Sequence, residues 1–243
     1  MKALVQFTKK RFKRLKALLK SFPSGKEKEG LHQIRLEIKK IKVVLQLIHF
    51  NNKEFNDHKK YIPFRTVFRE SGKIRDAELR KELLDQYTQI HVPFSSSPDI
   101  VFEQFVNEVP DQINVISRQM KTIIKQVAKI KSRTYELYLH KKNKELIKLL
   151  SEGFTQRDLH GLRKLIKEII YLTSVKVKKT KIDSFLIESA SLIGNWHDKK
   201  MLIPWIRTHA ANEKGTIKRL QTESNADMQR LRKMVGEYLT REK

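Results

Sequence analysis

Two nine-residue stretches of the sequence share one order of side chains. Leu31-His32-Gln33-Ile34-Arg35-Leu36-Glu37-Ile38-Lys39 and Leu159-His160-Gly161-Leu162-Arg163-Lys164-Leu165-Ile166-Lys167 each give an apolar residue and then His. An apolar residue follows two positions after that His, Arg three and Lys seven. On a helix turning about 100° per residue, His, Arg and Lys fall within an arc of roughly 60°. Leu31, Ile34, Ile38 and Ile41 fall on the adjoining flank, as do Leu159, Leu162, Ile166 and Ile169 in the second stretch. Each helix is therefore expected to bury one stripe and to offer a basic stripe at its edge, which Lys42 extends in the first. Such a stripe holds anions: charge-assisted hydrogen bonds from Lys and Arg contribute about 1.5–3 kcal/mol each. A neutral imidazole adds one donor, and a bound polyanion favours its protonated form.

A second feature follows each stretch. Gly72-Lys73-Ile74-Arg75-Asp76 comes after the first, and Gly194-Asn195-Trp196-His197-Asp198 after the second. Both read Gly-x-x-x-Asp, the pattern of a glycine that ends one helix before an acid opens the next. Four pieces in the same order point to an internal duplication, with a pseudo-twofold bringing the two basic helices face to face. Asp76 and Asp198 are expected to be structural, starting a helix or orienting a basic side chain.

The two His-x-x-Arg-x-x-x-Lys helices, each followed by Gly-x-x-x-Asp, resemble the CHAD family, named for its conserved histidines and helical fold. The resemblance spans about residues 25–215 by motif. It implies an all-α fold of two pseudo-symmetric helical bundles, with a basic groove or channel between them that binds inorganic polyphosphate. Carried onto this sequence, the family's binding positions fall on His32, Arg35, Lys39, Lys40 and Lys42 and on His160, Arg163, Lys164, Lys167 and Tyr171, with Arg75 from the first Gly-x-x-x-Asp piece. Lys39, Lys40 and Lys42 replace frequent arginines, which removes bidentate grip on phosphate. Glu168 and Ile170 stand where the second helix usually carries more basic residues. No catalytic residue, metal or cofactor is implied.

Composition agrees with an anionic partner. Lys and Arg number 52 against 27 Asp and Glu, a formal net charge of +25. Such an excess attracts polyanions and opposes compaction by self-repulsion. The alternative to polyphosphate is sequence-independent binding of nucleic acid, although no helix-turn-helix, zinc finger or aromatic-bearing sheet is evident. Enzyme readings are weak. There is no cysteine, no phosphate-binding glycine loop and no nucleophile elbow. His197-Asp198 could belong to a metal phosphohydrolase, but His49, His58, His91, His140 and His209 show no ligand spacing. No run approaches the roughly 20 apolar residues that span a bilayer. A cytoplasmic location is expected, with association with polyphosphate granules compatible with it.

The elements that position these residues are helical. With 8 Gly and 6 Pro in 243 residues, long stretches run without punctuation, and the apolar period is near 3.6. Helices are expected at roughly 2–21, 27–51, 56–71, 75–90, 99–108, 111–151, 156–175, 180–193, 198–211 and 213–241, with a break near Ser132. Within 111–151, Ile113, Ile116, Met120, Ile123, Val127, Ile130 and Thr134 form one stripe. Arg118, Lys121, Lys125 and Lys129 lie opposite, as a solvated face. Pro93-Phe94-Ser95-Ser96-Ser97-Pro98 is the expected linker between a first half, 1–94, and a second, 95–243. Residues 1–25 hold eight basic residues and no acid. Leu4, Phe7, Leu15, Leu18 and Phe22 at helical spacing favour an amphipathic first helix packed on the rest over a transit peptide or membrane-surface helix.

Overall fold

The computed structural model describes residues 1–21, 28–87, 98–177, 182–210 and 212–241, with backbone only at 28, 29 and 98–110. Among the described residues there are eight helices and no strand. In chain order they are α1 (Lys2–Ser21), α2 (Lys28–Asn51), α3 (Asp57–Tyr87), α4 (Pro98–Ala128), α5 (Ser132–Ser151), α6 (Leu159–Thr173), α7 (Ser184–His209) and α8 (Lys214–Arg241). The fold is all-α, as the 3.6 period requires.

The chain forms two compact units. The first combines Met1–Lys81 with Val92–Tyr138, the second Glu82–His91 with Leu139–Lys243. Helix α4, assigned to the second half by the linker at 93–98, counts with the first unit because it packs against α1 and α2. Residues 93–97 of that linker lie outside the described residues.

In the first unit, the apolar flank of α2 is buried as its spacing dictates: Leu31 is 2% exposed, and Ile34, Ile38 and Ile41 are fully buried. Burying such a side chain stabilises the fold by about 1.5–3 kcal/mol. Helix α1 is the packed amphipathic helix expected. It buries Leu4, Thr8, Phe12, Leu15 and Leu19 and packs against α2 and α4, with Phe12 edge-on to Phe64 of α3 at 6.0 Å. The stripe of α4 is also inward, with Ile116, Ile123 and Val127 buried, and Ile130 in the break beyond it is buried too. Arg118, Lys121, Lys125 and Lys129 face solvent. The expected break near Ser132 falls at 129–131.

In the second unit, Leu159, Leu162, Ile166 and Ile169 of α6 join Phe185, Leu186 and Ile193 of α7 and Met228, Leu231 and Val235 of α8 in one core. Two turns set the ends of its helices. Asp158 Oδ2 accepts from the Thr155 amide and hydroxyl, both at 2.8 Å, immediately before α6 begins. The Asp183 side chain accepts from the Phe185 amide at 2.9 Å and so caps α7.

The two Gly-x-x-x-Asp pieces correct the expected boundaries. Helix α3 runs unbroken through Gly72 and Asp76, and α7 through Gly194 and Asp198. Neither glycine ends a helix and neither has a positive φ. Neither acid opens a helix.

Candidate anion-binding site

What the glycines do is visible from the arginines. In the first unit the Arg35 guanidinium crosses from α2 to α3 and lies over Gly72. Its Nη1 donates to the Phe68 carbonyl at 2.7 Å. A Cβ on Gly72 would collide with that Nη1 and sit 3.4 Å from Cζ. In the second unit Arg163 Nε donates from α6 to the Ala190 carbonyl of α7 at 3.1 Å. A Cβ on Gly194 would fall 2.6 Å from Arg163 Nη2 and 3.1 Å from its Cζ. In both units the accepting carbonyl lies four residues, one helical turn, before the glycine. The missing side chain is what lets a planar guanidinium lie against the helix backbone.

The first unit adds an aromatic floor. Phe68 lies under Arg35, with Cζ 4.1 Å from the ring centroid, and Lys39 Nζ is 5.6 Å from the same ring. Lys42 Nζ is 5.2 Å from the Tyr61 ring. Burial pulls the Arg35 guanidinium below its ordinary value, while the charges of Asp76 and Tyr61 pull it back and Arg75 opposes them. Burial pushes the Tyr61 hydroxyl up to about 12, against Arg35 and Arg65. Asp76 thus acts as a counter-charge to Arg35.

Around each docked arginine lie the other stripe residues. His32, Lys39 and Lys42 are exposed on α2. Arg75 is half-buried on α3, with Nη1 3.8 Å from Glu78. In the second unit His160 and Lys164 are exposed and Lys167 is half-buried.

Two expected site residues are placed otherwise. Lys40 sits about 140° round α2 from Arg35 and donates to Glu37 at 3.0 Å. Glu37 is fully buried, and its Oε1 also accepts from Arg11 of α1 at 3.1 Å, with Arg14 at 3.9 Å. Burial lowers the Lys40 ammonium, and hydrogen bonding to Glu37 works against that. Lys40 therefore neutralises Glu37 within α2, and Arg11 is the bond that ties α1 to that pair. Tyr171 is 8% exposed and belongs to the buried face of α6. Glu168, the acid that interrupts the second basic face, is paired with Lys142 at 3.3 Å.

Spacing within one helix did not single out three participants. His197 lies with its ring 6.2 Å from that of His160 and 3.5 Å from Asp198 Oδ1. Its signal was present, because it takes the place in the second Gly-x-x-x-Asp piece that Arg75 takes in the first. Phe68 and Tyr61 were readable as aromatics seven residues apart on one face of α3, but not as partners of α2.

The arrangement offers fixed cations and imidazoles beside exposed lysines. Among the described residues, no three His, Cys, Asp or Glu side chains are grouped to hold a metal ion. No helix among them is long and apolar enough to cross a membrane. No protein-family model matches the sequence, and no curated protein matches it either.

Proposed function

We propose that the chain binds inorganic polyphosphate, or a similar linear polyanion, non-covalently on the basic stripes of α2 and α6. The supporting observation is the arginine dock that recurs in both units. In each, a guanidinium tied to a main-chain carbonyl over a glycine holds the helix edge on which His and Lys are displayed. A guanidinium has five N–H donors, so a dock that uses one leaves others for a ligand. The recurrence also favours an internal duplication, and with it the resemblance to the CHAD family. A polyphosphate chain is a regular row of charged oxygens without bases. Rigidly mounted Lys, Arg and His donors match it, with no need for base-edge readers. The role is one of binding rather than catalysis, in a cytoplasmic setting where polyphosphate granules are the natural location. A tagged chain that fails to follow such granules in cells would count against that location.

The test is calorimetry with polyphosphate of defined length at two salt concentrations. Binding should weaken as salt rises, because it releases counterions. Lys39→Gln/Lys42→Gln combined with Lys164→Gln/Lys167→Gln should weaken it by at least about tenfold. Undiminished affinity in that variant would remove α2 and α6 as the site. The net charge of +25 supports nucleic acid as the second reading, and competition decides between the two. Polyphosphate that cannot displace single- or double-stranded nucleic acid at matched salt would favour the latter.

A further inference from the structure

The first unit carries a second basic face that the stripe does not use. On α1, Lys2, Lys9, Lys13, Lys16 and Lys20 lie within an arc of about 60°, and all five are exposed. The row is about 27 Å long. Helix α1 contains no acid, and none of these lysines makes an ion pair among the described residues.

Its direction follows from the contacts of α1 and α2. The α1 side chains that hydrogen-bond to α2 are Arg11 and Arg14, on Glu37 and Gln33. They lie about 160° round α1 from the lysine row. On α2, the residues bonded from α1 (Gln33 and Glu37) lie about 160° from the centre of the stripe. The stripe is on the α3 flank, where Arg35 reaches Phe68. The lysine row and the stripe therefore point to opposite sides of the α1–α2 pair, and a single straight polyanion cannot lie on both.

The row also differs in kind. It has no arginine, no imidazole and no large apolar side chain beside it, the apolar face of α1 being buried under α2 and α4. A helix whose apolar face is already used has nothing to insert into a lipid surface. A line of point charges on flexible stems suits a linear polyanion lying along the helix.

We propose that this row is a second polyphosphate site, and that through it one molecule bridges two polyphosphate strands. The inference rests on the stripe reading, and its test separates the two. Long polyphosphate is immobilised, the full chain is loaded onto it, and a labelled second strand of long polyphosphate is then added.

Wild type should load and capture the second strand. Lys9→Gln/Lys13→Gln/Lys16→Gln should still load but lose capture by about tenfold. The charge-matched Lys121→Gln/Lys125→Gln/Lys129→Gln, on the solvated face of α4 and just past its end, should do both as wild type does. Loss of capture to the same extent in both variants, or in neither, overturns bridging while the stripe reading stands. So does a row variant that keeps capture yet loses adhesion to vesicles rich in anionic phospholipid, since lipid would then be the partner. Loading that fails in wild type overturns the stripe reading itself.

Discussion

Replacing Gly72 with alanine puts the arginine dock to a test in which the sign of the effect decides. Inside a helix, glycine to alanine ordinarily stabilises by about 1 kcal/mol. At Gly72 the new Cβ would run into Arg35 Nη1, with Cζ at 3.4 Å and Nη2 at 3.5 Å. The guanidinium has to withdraw, giving up its bond to the Phe68 carbonyl and its place over the Phe68 ring. A hydrogen bond from a charged donor is worth about 1.5–3 kcal/mol, and a partly exposed cation–π contact about 0.5–1 kcal/mol. Against the helix gain, the net is a loss of about 1–3 kcal/mol. Gly194→Ala should lose less, about 0.5–2 kcal/mol, because Arg163 has the carbonyl bond and alanine in place of phenylalanine beneath it. Gly236, in the interior of α8, has nothing within 4 Å of a Cβ, so Gly236→Ala should gain about 1 kcal/mol.

The assay is thermal or denaturant unfolding of the three variants side by side. In a chain of this length 1 kcal/mol moves Tm by roughly 2–4 °C, so the expected shifts are opposite in sign and resolvable. A cycle with Arg35→Met sharpens the test, since methionine fills the space without the branched, charged end. In that background Gly72→Ala should recover the ordinary helix gain. Should Gly72→Ala raise Tm as Gly236→Ala does, or act identically with and without Arg35, then the glycine is not there for the arginine.

Three further outcomes are expected. Glu37→Gln removes the one carboxylate shared by Arg11 and Lys40 inside the α1–α2 contact and should destabilise by about 3–5 kcal/mol, read as a drop in denaturant midpoint. Glu70 is held below its ordinary value first by a hydrogen bond from Lys73, and Glu223 first by one from Tyr87. Each therefore adds stability above about pH 4.3 that is lost as pH falls through its folded value; Glu70→Gln/Glu223→Gln should flatten the acid limb of stability against pH. Affinity for a long polyphosphate should rise from pH 8 to pH 6, because a bound polyanion favours imidazolium. That rise should vanish in His32→Ala/His160→Ala/His197→Ala, and a profile unchanged in the variant would make these histidines structural.

The sequence carried the local part of this molecule and little of the rest. The buried flanks of α2 and α6 were readable residue by residue, because an apolar period near 3.6 is a property of one helix alone. The lengths of α3 and α7 were not. Gly72 and Gly194 read as helix ends under local rules, since glycine weakens a helix wherever it stands. The reason for each is an arginine 37 and 31 residues earlier in the chain, and no window of local pattern contains it. Lys40 failed for a related reason. It is as basic as its neighbours Lys39 and Lys42, but a buried Glu37 one turn before it claims its charge. An acid beside the apolar flank of α2 was the available signal for that network.

The docks also redistribute the roles within the proposed site. From the residues alone, Arg35 and Arg163 look like the main grip on a ligand, and reversing their charge looks like a clean way to abolish binding. Each instead bonds a carbonyl of the neighbouring helix, so such a reversal would set a carboxylate against a main-chain carbonyl and weaken the helix pair itself. Lost binding would then report lost structure. The exposed members of the stripe meet the neighbouring helix through weaker contacts, Lys39 and Lys42 over the Phe68 and Tyr61 rings of α3 and His160 beside the His197 ring of α7, with an exposed cation–π contact worth about 0.5–1 kcal/mol. The arginines are better read as the rigid mounting that fixes where those groups stand. Their neutralisation to methionine should lower Tm and affinity together, whereas Lys39→Gln/Lys42→Gln should lower affinity with a smaller loss of Tm. Equal effects on Tm from the two substitutions would show that mounting and grip are not divided in this way.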